Sequence, residues 1–128
     1  MTFALSLASR KKLSGVHPDL VRVVERAIAL SSVDFKVTEG RRTLARQREL
    51  MAAGATRTMN SRHLTGHAVD VAALVGGKVR WDWPLYGRIA DAVKKAACEC
   101  GVSIVWGGDW RTFKDGPHFE LSHKEYPA

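Results

Sequence analysis

The sequence predicts an α+β fold on three observations. Apolar residues recur at helical spacing early in the chain, and short alternating segments follow. Helix and strand patterns then mix without a regular strand–helix–strand alternation. Each element has a local cause. Ser6 can cap a short helix over residues 6–13, and Pro18 suits the first turn of a second helix. In that helix Leu20, Val23, Val24, Ala27 and Ile28 form one apolar stripe. Asp34 to Thr38 alternates as a short strand. Thr43 can cap a third helix through about Ala53, Gly54 is its natural stop, and Ala55 to Asn60 reads as loop. Ala68 to Ala72 alternates again, with Val69 and Val71 on one face and Asp70 on the other. Gly76-Gly77 marks a hairpin tip leading into Lys78 to Trp81. Pro84 opens a long amphipathic helix bearing Leu85, Ile89, Val93, Ala96 and Ala97, which Gly101 ends. Val102 to Trp106 reads as a strand, the polar stretch GGDWRTFKDGP as a loop, and His118 to Leu121 as the last strand.

At 128 residues the chain is expected to form one domain with a single core and no appended binding module. Hydrophobic residues make up 45% and charged residues 26%, which argues against disorder. No run approaches the roughly 18 apolar residues needed to span a bilayer. In MTFALSLASRKKL the basic residues follow the apolar stretch, whereas a secretory signal has the reverse order, so synthesis in the cytoplasm without an export signal is expected. Cys98 and Cys100 lie two apart in a helical segment, too close to face each other, and are expected to be reduced. Twenty Lys and Arg against thirteen Asp and Glu give a net charge of +7 and a pI near 9.9. That balance favours anionic partners without choosing among nucleic acid, membrane surface and wall polymer. Neither basic run, Arg10 to Lys12 or Arg41 to Arg48, interleaves aromatics as a single-strand binding groove would, so no specific nucleic-acid partner is expected.

The chemistry concentrates in SRHLTGHAVDVA, residues 61–72, which places His63, His67 and Asp70 around Gly66. A catalytic zinc keeps three protein ligands and one open position. His63 and His67 have the spacing of a helical metal pair, but Gly66 between them and the strand pattern after them oppose a helix. His63 and Asp70 therefore rank above His67 as ligands. A third ligand is suggested by Asp115-Gly116-Pro117-His118. Across a Gly-Pro turn the flanking side chains can converge, so that His118 binds metal while Asp115 stands beside the water to be activated.

Taken together, Ser61, His63, Gly66, Ala68 and Asp70 (S-x-H-x-x-G-x-A-x-D), then WGGDW at 106–110 and D-x-x-H-F-E at 115–120, resemble the zinc peptidases of the bacterial cell wall. EGRRT at 39–43, with Gln47 beyond, matches as well, and the resemblance spans roughly residues 13–121. That family includes D-alanyl-D-alanine carboxypeptidases and dipeptidases and the L-alanyl-D-glutamate peptidases used as phage endolysins. It implies a hedgehog/DD-peptidase-like fold, a small antiparallel sheet with flanking helices. It further implies Zn2+ held by His63, Asp70 and His118, with Asp115 at the catalytic acid/base position. Many carboxypeptidase relatives have Glu where this chain has Asp115, and the endolysin subgroup has Asp. Arg42 matches the arginine that steadies the polarised carbonyl; Arg41 stands where many relatives have an aromatic residue, so either arginine is a candidate for that role.

Two neutral histidines and one carboxylate around zinc leave a net charge near +1, suited to polarising a carbonyl. Trp106 and Trp110 are candidates to wall the cleft, the alternative for Trp106 being a core position. Glu120 lies on the same strand face as His118 and is expected to accept the second N–H of a metal-binding histidine, the alternative being a structural salt bridge. Ser61 either touches substrate or caps its loop. The resemblance thus implies a zinc endopeptidase that cleaves the L-alanyl-D-glutamate bond of peptidoglycan stem peptides, and the chain is expected to be a monomer. It would lack a separate cell-wall-binding module and would reach the wall from the host cytoplasm after holin-type release. D-Alanyl-D-alanine cleavage and a non-catalytic zinc-bearing binding domain are the alternative readings.

Overall fold

A computed structural model describes residues 2–55 and 61–127, so the expected loop from Ala55 to Asn60 lies outside it after its first residue. The chain runs α1 (Leu7–Lys12), α2 (Pro18–Leu30), β1 (Asp34–Glu39), α3 (Leu44–Ala52), β2 (Ala68–Val75), β3 (Lys78–Arg80), α4 (Trp83–Cys100), β4 (Ile104–Trp106) and β5 (His118–Leu121). The strands form one antiparallel sheet in the order β1-β2-β5-β4, with β3 also paired to β2. This is the expected α+β class.

The helix boundaries follow from their caps. The Ser6 hydroxyl accepts the Ser9 N–H at 3.1 Å, and the Thr43 hydroxyl accepts the Arg46 N–H at 3.1 Å. α4 closes at Gly101, and the next N–H, from Val102, bonds back to Ala97 O at 2.9 Å. That bond ties Val102 to the helix end, which is why β4 begins at Ile104 rather than at Val102. Cys98 and Cys100 are free on this helix.

The stripe of α2 packs with Ile89, Val93 and Ala96 of α4. Both meet Phe35, Val37, Val69, Val71, Phe119 and Leu121 of the sheet in one core. Leu20, Val23, Ile89, Val69 and Leu121 are fully buried. Each such side chain contributes roughly 1.5–3 kcal/mol relative to an exposed one. The helices therefore take one face of β2, and Asp70, between Val69 and Val71, is left for the other.

β1 carries an irregularity that the sequence does not announce. Its register with β2 shifts between Val37, opposite Val71, and Glu39, opposite Asp70. Without that extra residue Glu39 would share the core face of Val37, because side chains alternate with period two. The bulge turns Glu39 into line with Asp70 instead.

Before β2, a 3-10 turn over Arg62–Thr65 ends at Gly66, whose φ of +76° is a left-handed conformation. Gly66 also lies against Gly15: a Cβ there would collide with the Gly15 carbonyl oxygen. Its own carbonyl accepts the His17 N–H at 2.8 Å, locking the turn to the start of α2. Gly66→Ala is expected to lower stability by about 1–3 kcal/mol, the usual cost of forcing such a backbone on a side chain, seen as a lower urea midpoint. A midpoint equal to that of the parent chain would mean that the turn relaxes without cost.

Candidate metal centre

Pairing of β2 with β5 sets Asp70 directly opposite His118, and pairing of β1 with β2 sets Glu39 opposite Asp70. Neighbours across an antiparallel ladder share a face. One row of the sheet therefore reads Glu39, Asp70, His118. His63 arrives from the 3-10 turn, whose start is fixed by the Ser61 hydroxyl accepting the His63 N–H at 3.2 Å. Of the two roles open to Ser61, capping is the one its hydrogen bond performs, although it also lines the cleft.

The tautomers follow from the partners. His63 Nδ1 lies 2.9 Å from the Gly40 carbonyl oxygen, which only accepts, so Nδ1 carries the proton. His118 Nε2–H likewise donates to Glu120 Oε1 at 2.8 Å. In the neutral rings the lone pairs are then on His63 Nε2 and His118 Nδ1. Both face the same oxygen, Asp70 Oδ1, at 3.2 and 3.0 Å. Three lone-pair donors converging on one point repel one another unless a cation sits among them. Their ligand atoms all lie within 4.8 Å of one another, and two imidazoles with a carboxylate form a set that suits zinc.

Protons feel the same field. Burial opposes charge on His118, but the hydrogen bonds to Asp70 and Glu120 outweigh it and raise the pKa to about 9. Burial also works against the Asp70 carboxylate, yet the hydrogen bonds from His118 and His63 hold it well below the usual range.

A cleft of about 590 Å³ opens on this group, lined also by Glu39, Arg42, Trp110, Phe113 and Asp115. Arg42 is buried. Its Nε–H donates to Glu39 Oε1 at 2.7 Å, Nη1–H to Gln47 Oε1 at 2.8 Å, and Nη2 lies 3.7 Å from Asp70 Oδ2. Arg41 is exposed, does not line this cleft, and lies across Gly15. Of the two arginines, Arg42 faces the candidate centre.

Asp115 and His118 belong to one turn, with the His118 N–H on the Asp115 carbonyl at 3.2 Å and the Asp115 N–H on Gly107 O at 3.0 Å. Burial pushes the Asp115 carboxyl pKa up, the charge of Asp70 adds to this, and His118, His63 and Arg42 partly oppose it. Gly107 lies against this turn: a Cβ there would meet the Asp115 carbonyl and come within 3.1 Å of both Asp115 Cβ and His118 Cβ. The sequence offered WGGDW as a motif but not this reason for its first glycine.

Two other residues divide. Trp110 lines the cleft, its ring 5.1 Å from that of His118. Trp106 does not. It pairs with Phe119, whose side chain belongs to the core, so its ring is turned to the core face and stacks on Phe119 at 6.4 Å. Its indole N–H donates to Gly116 O at 2.7 Å, which braces the turn from behind. His67 is outside the group; its Nδ1 meets Thr65 Oγ1 at 2.7 Å. Loss of a residue that merely supports a metal ligand costs about 10–100-fold in affinity. Asp70→Asn, which removes the carboxylate charge from this group, is therefore expected to weaken binding of a divalent ion by more than about a hundredfold in a calorimetric titration. Unchanged affinity would place the ion elsewhere.

The profile of the family described as phage L-alanyl-D-glutamate peptidase matches residues 1–122. The L-alanyl-D-glutamate peptidase of Escherichia phage T5 is 33% identical over 130 residues, covering 98% of this chain and 94% of its own. The peptidoglycan L-alanyl-D-glutamate endopeptidase CwlK of Bacillus subtilis (strain 168) is 31% identical over 124 residues, covering 84% of this chain and 74% of its own. The crystal structure of the L-Ala D-Glu endopeptidase ChiX of Serratia marcescens has a TM-score of 0.91 at 55% identity, covering 97% of this chain and 94% of that one. With the profile covering nearly the whole chain and relatives alike over most of their own lengths, the protein belongs to the phage L-alanyl-D-glutamate peptidase family and is a peptidase.

Proposed function

We propose that this peptidase is a zinc-dependent endopeptidase that hydrolyses the L-alanyl-D-glutamate bond of peptidoglycan stem peptides, in the manner of a phage endolysin. The observation that carries the reading is the convergence of His63 Nε2, Asp70 Oδ1 and His118 Nδ1 in the cleft that also holds Asp115 and Arg42.

Zinc held by these three side chains would supply a Lewis acid for the scissile carbonyl and lower the pKa of water from about 15.7 to about 7. The chain's own groups perform the proton transfers. Asp115 Oδ accepts the proton of the attacking water and returns it to the departing glutamate nitrogen as the carbon–nitrogen bond breaks. Its burial suits this double task, because a carboxylate with a raised pKa holds the proton between the two transfers. Arg42 presents a guanidinium, locked by Glu39 and Gln47, as a preorganised donor where negative charge develops on the carbonyl oxygen. Such a donor is typically worth about 2.7–4 kcal/mol. Trp110 and Phe113 supply apolar walls.

The test is digestion of purified Gram-negative peptidoglycan, with products identified by mass spectrometry. The parent chain should release stems bearing a new N-terminal glutamate. A chelator should stop the release and added zinc restore it, and Asp115→Ala should slow it about 10²–10⁴-fold. Release of terminal D-alanine instead would transfer the protein to the carboxypeptidase branch. Zinc binding without any product would make it a binding domain.

The basic surface fits an anionic wall. Lys11, Lys12, Arg41 and Arg46 line a hollow that shares Glu39 and Arg42 with the cleft. No helix among the described residues is long and apolar enough to cross a membrane. We place the monomeric enzyme at the cell wall, reached by holin-type release. Raising salt from about 0.01 M to 0.15 M shortens the Debye length from about 30 Å to 8 Å. Hydrolysis of whole wall should therefore slow over that range, while hydrolysis of a small soluble stem peptide should change little. Equal salt dependence for both substrates would remove the surface from the account.

A further inference from the structure

We propose that Arg62, anchored by the C-terminal turn, is a positioning residue for the metal ligand His118; the inference rests on the zinc reading above. Arg62 stands next to His63 in sequence, but its guanidinium points toward the end of the chain. Nη2–H donates to the carbonyl oxygens of Leu121 at 3.1 Å and Tyr126 at 2.6 Å. The side chain is buried, and Nε and Nη1 have no hydrogen-bond partner among the described residues. The group facing them is Glu120, whose Oε2 lies 3.9 Å from Nε. The other oxygen of that carboxylate accepts the Nε2–H of His118 at 2.8 Å.

A buried guanidinium with so few hydrogen bonds is costly unless a nearby charge offsets it. Glu120, itself buried, is the charge available, and each of the pair makes the other tolerable. What the pair secures is an acceptor at a fixed place beside His118 Nε2. That acceptor fixes the ring orientation and tautomer, so the Nδ1 lone pair points at Asp70 and the metal position. His123 Nε2, 3.5 Å from Glu120 Oε2, is exposed and so a weaker partner for it.

The anchor lies beyond the span that the family profile matches, which stops at residue 122. Tyr126 is held three ways. Its N–H donates to Ser122 O at 2.9 Å, its hydroxyl donates to Asp19 Oδ2 at 2.7 Å, and its ring meets His17 edge-on at 5.2 Å. A residue at the start of α2 thus steadies the turn that holds Arg62, and through Glu120 the turn reaches the metal ligand.

The experiment compares the parent chain, Arg62→Met, Arg62→Lys and a truncation after Ser122. Zinc affinity is measured by chelator competition, visible absorption on the cobalt(II)-loaded proteins, and melting on the metal-free ones. Arg62→Met should weaken zinc binding about 10–100-fold and alter the cobalt bands. Arg62→Lys should recover part of that loss, and the truncation should weaken binding in the same direction by a smaller factor. Parent-like affinity and cobalt bands in Arg62→Met would overturn the proposal. If that variant does not fold, the truncation decides, and a parent-like affinity there overturns the anchor. A parent chain that binds no zinc would instead sink the zinc reading itself, and this inference with it.

Discussion

When both imidazoles are neutral, one carboxylate oxygen, Asp70 Oδ1, faces two ring nitrogens whose protons lie on the far sides of their rings. The rest of the molecule is arranged so that this repulsive geometry persists. Gly40 O and Glu120 hold the protons away, the Asp70–His118 strand pair fixes one contact, and the turn ending at Gly66 fixes the other. A cation held among His63, Asp70 and His118, as proposed above, would relieve that repulsion.

The sheet makes this possible by using its faces for different purposes. On β2, Val69 and Val71 enter the core with α2 and α4, while Asp70 between them joins the polar row. The same alternation on β5 gives Phe119 and Leu121 to the core and leaves His118 and Glu120 opposite them. Stability and chemistry are thus interleaved residue by residue along the same strands. A slip of one position in either pairing would bury the carboxylate and expose the valines. The hydrophobic preference of the core face is what enforces the register of the site.

Much of this was legible in the sequence. The stripe from Leu20 to Ile28, the strand alternation around Asp70, and the cap residues Ser6 and Thr43 are local signals, and the elements formed where those signals lay. His63, Asp70 and His118 were legible as a group because turns at Gly66 and Pro117 let them converge and because their motifs resemble those of the cell-wall zinc peptidases. Contacts that depend on register were not legible. For Trp106 the sequence left cleft wall and core both open, and its pairing with Phe119 turns it to the core. Glu39 becomes part of the row only through a bulge, and Gly107 matters only because another turn lies against it. Arg62 reads as one more basic residue until the chain end folds back over it.

The charges around the centre favour the divalent ion proposed for it. Two buried arginines flank the row, each set against a glutamate, Arg42 with Glu39 and Arg62 with Glu120. Those pairs cancel, one at 2.7 Å and one at 3.9 Å. What remains beyond those pairs in the cleft is Asp70, with Arg42 Nη2 only at 3.7 Å, and Asp115, two carboxylates in a site that burial has partly removed from water. Such a site must gain about two positive charges or protonate its acids. The raised pKa of His118 is one expression of that demand, met by a proton. The proposed divalent ion among His63, Asp70 and His118 would meet it in full. Asp115 is then the one acid of the centre that is neither a ligand nor paired with an arginine. That placement, set by Gly107 and the Gly-Pro turn, supports the proton-transfer role proposed for it.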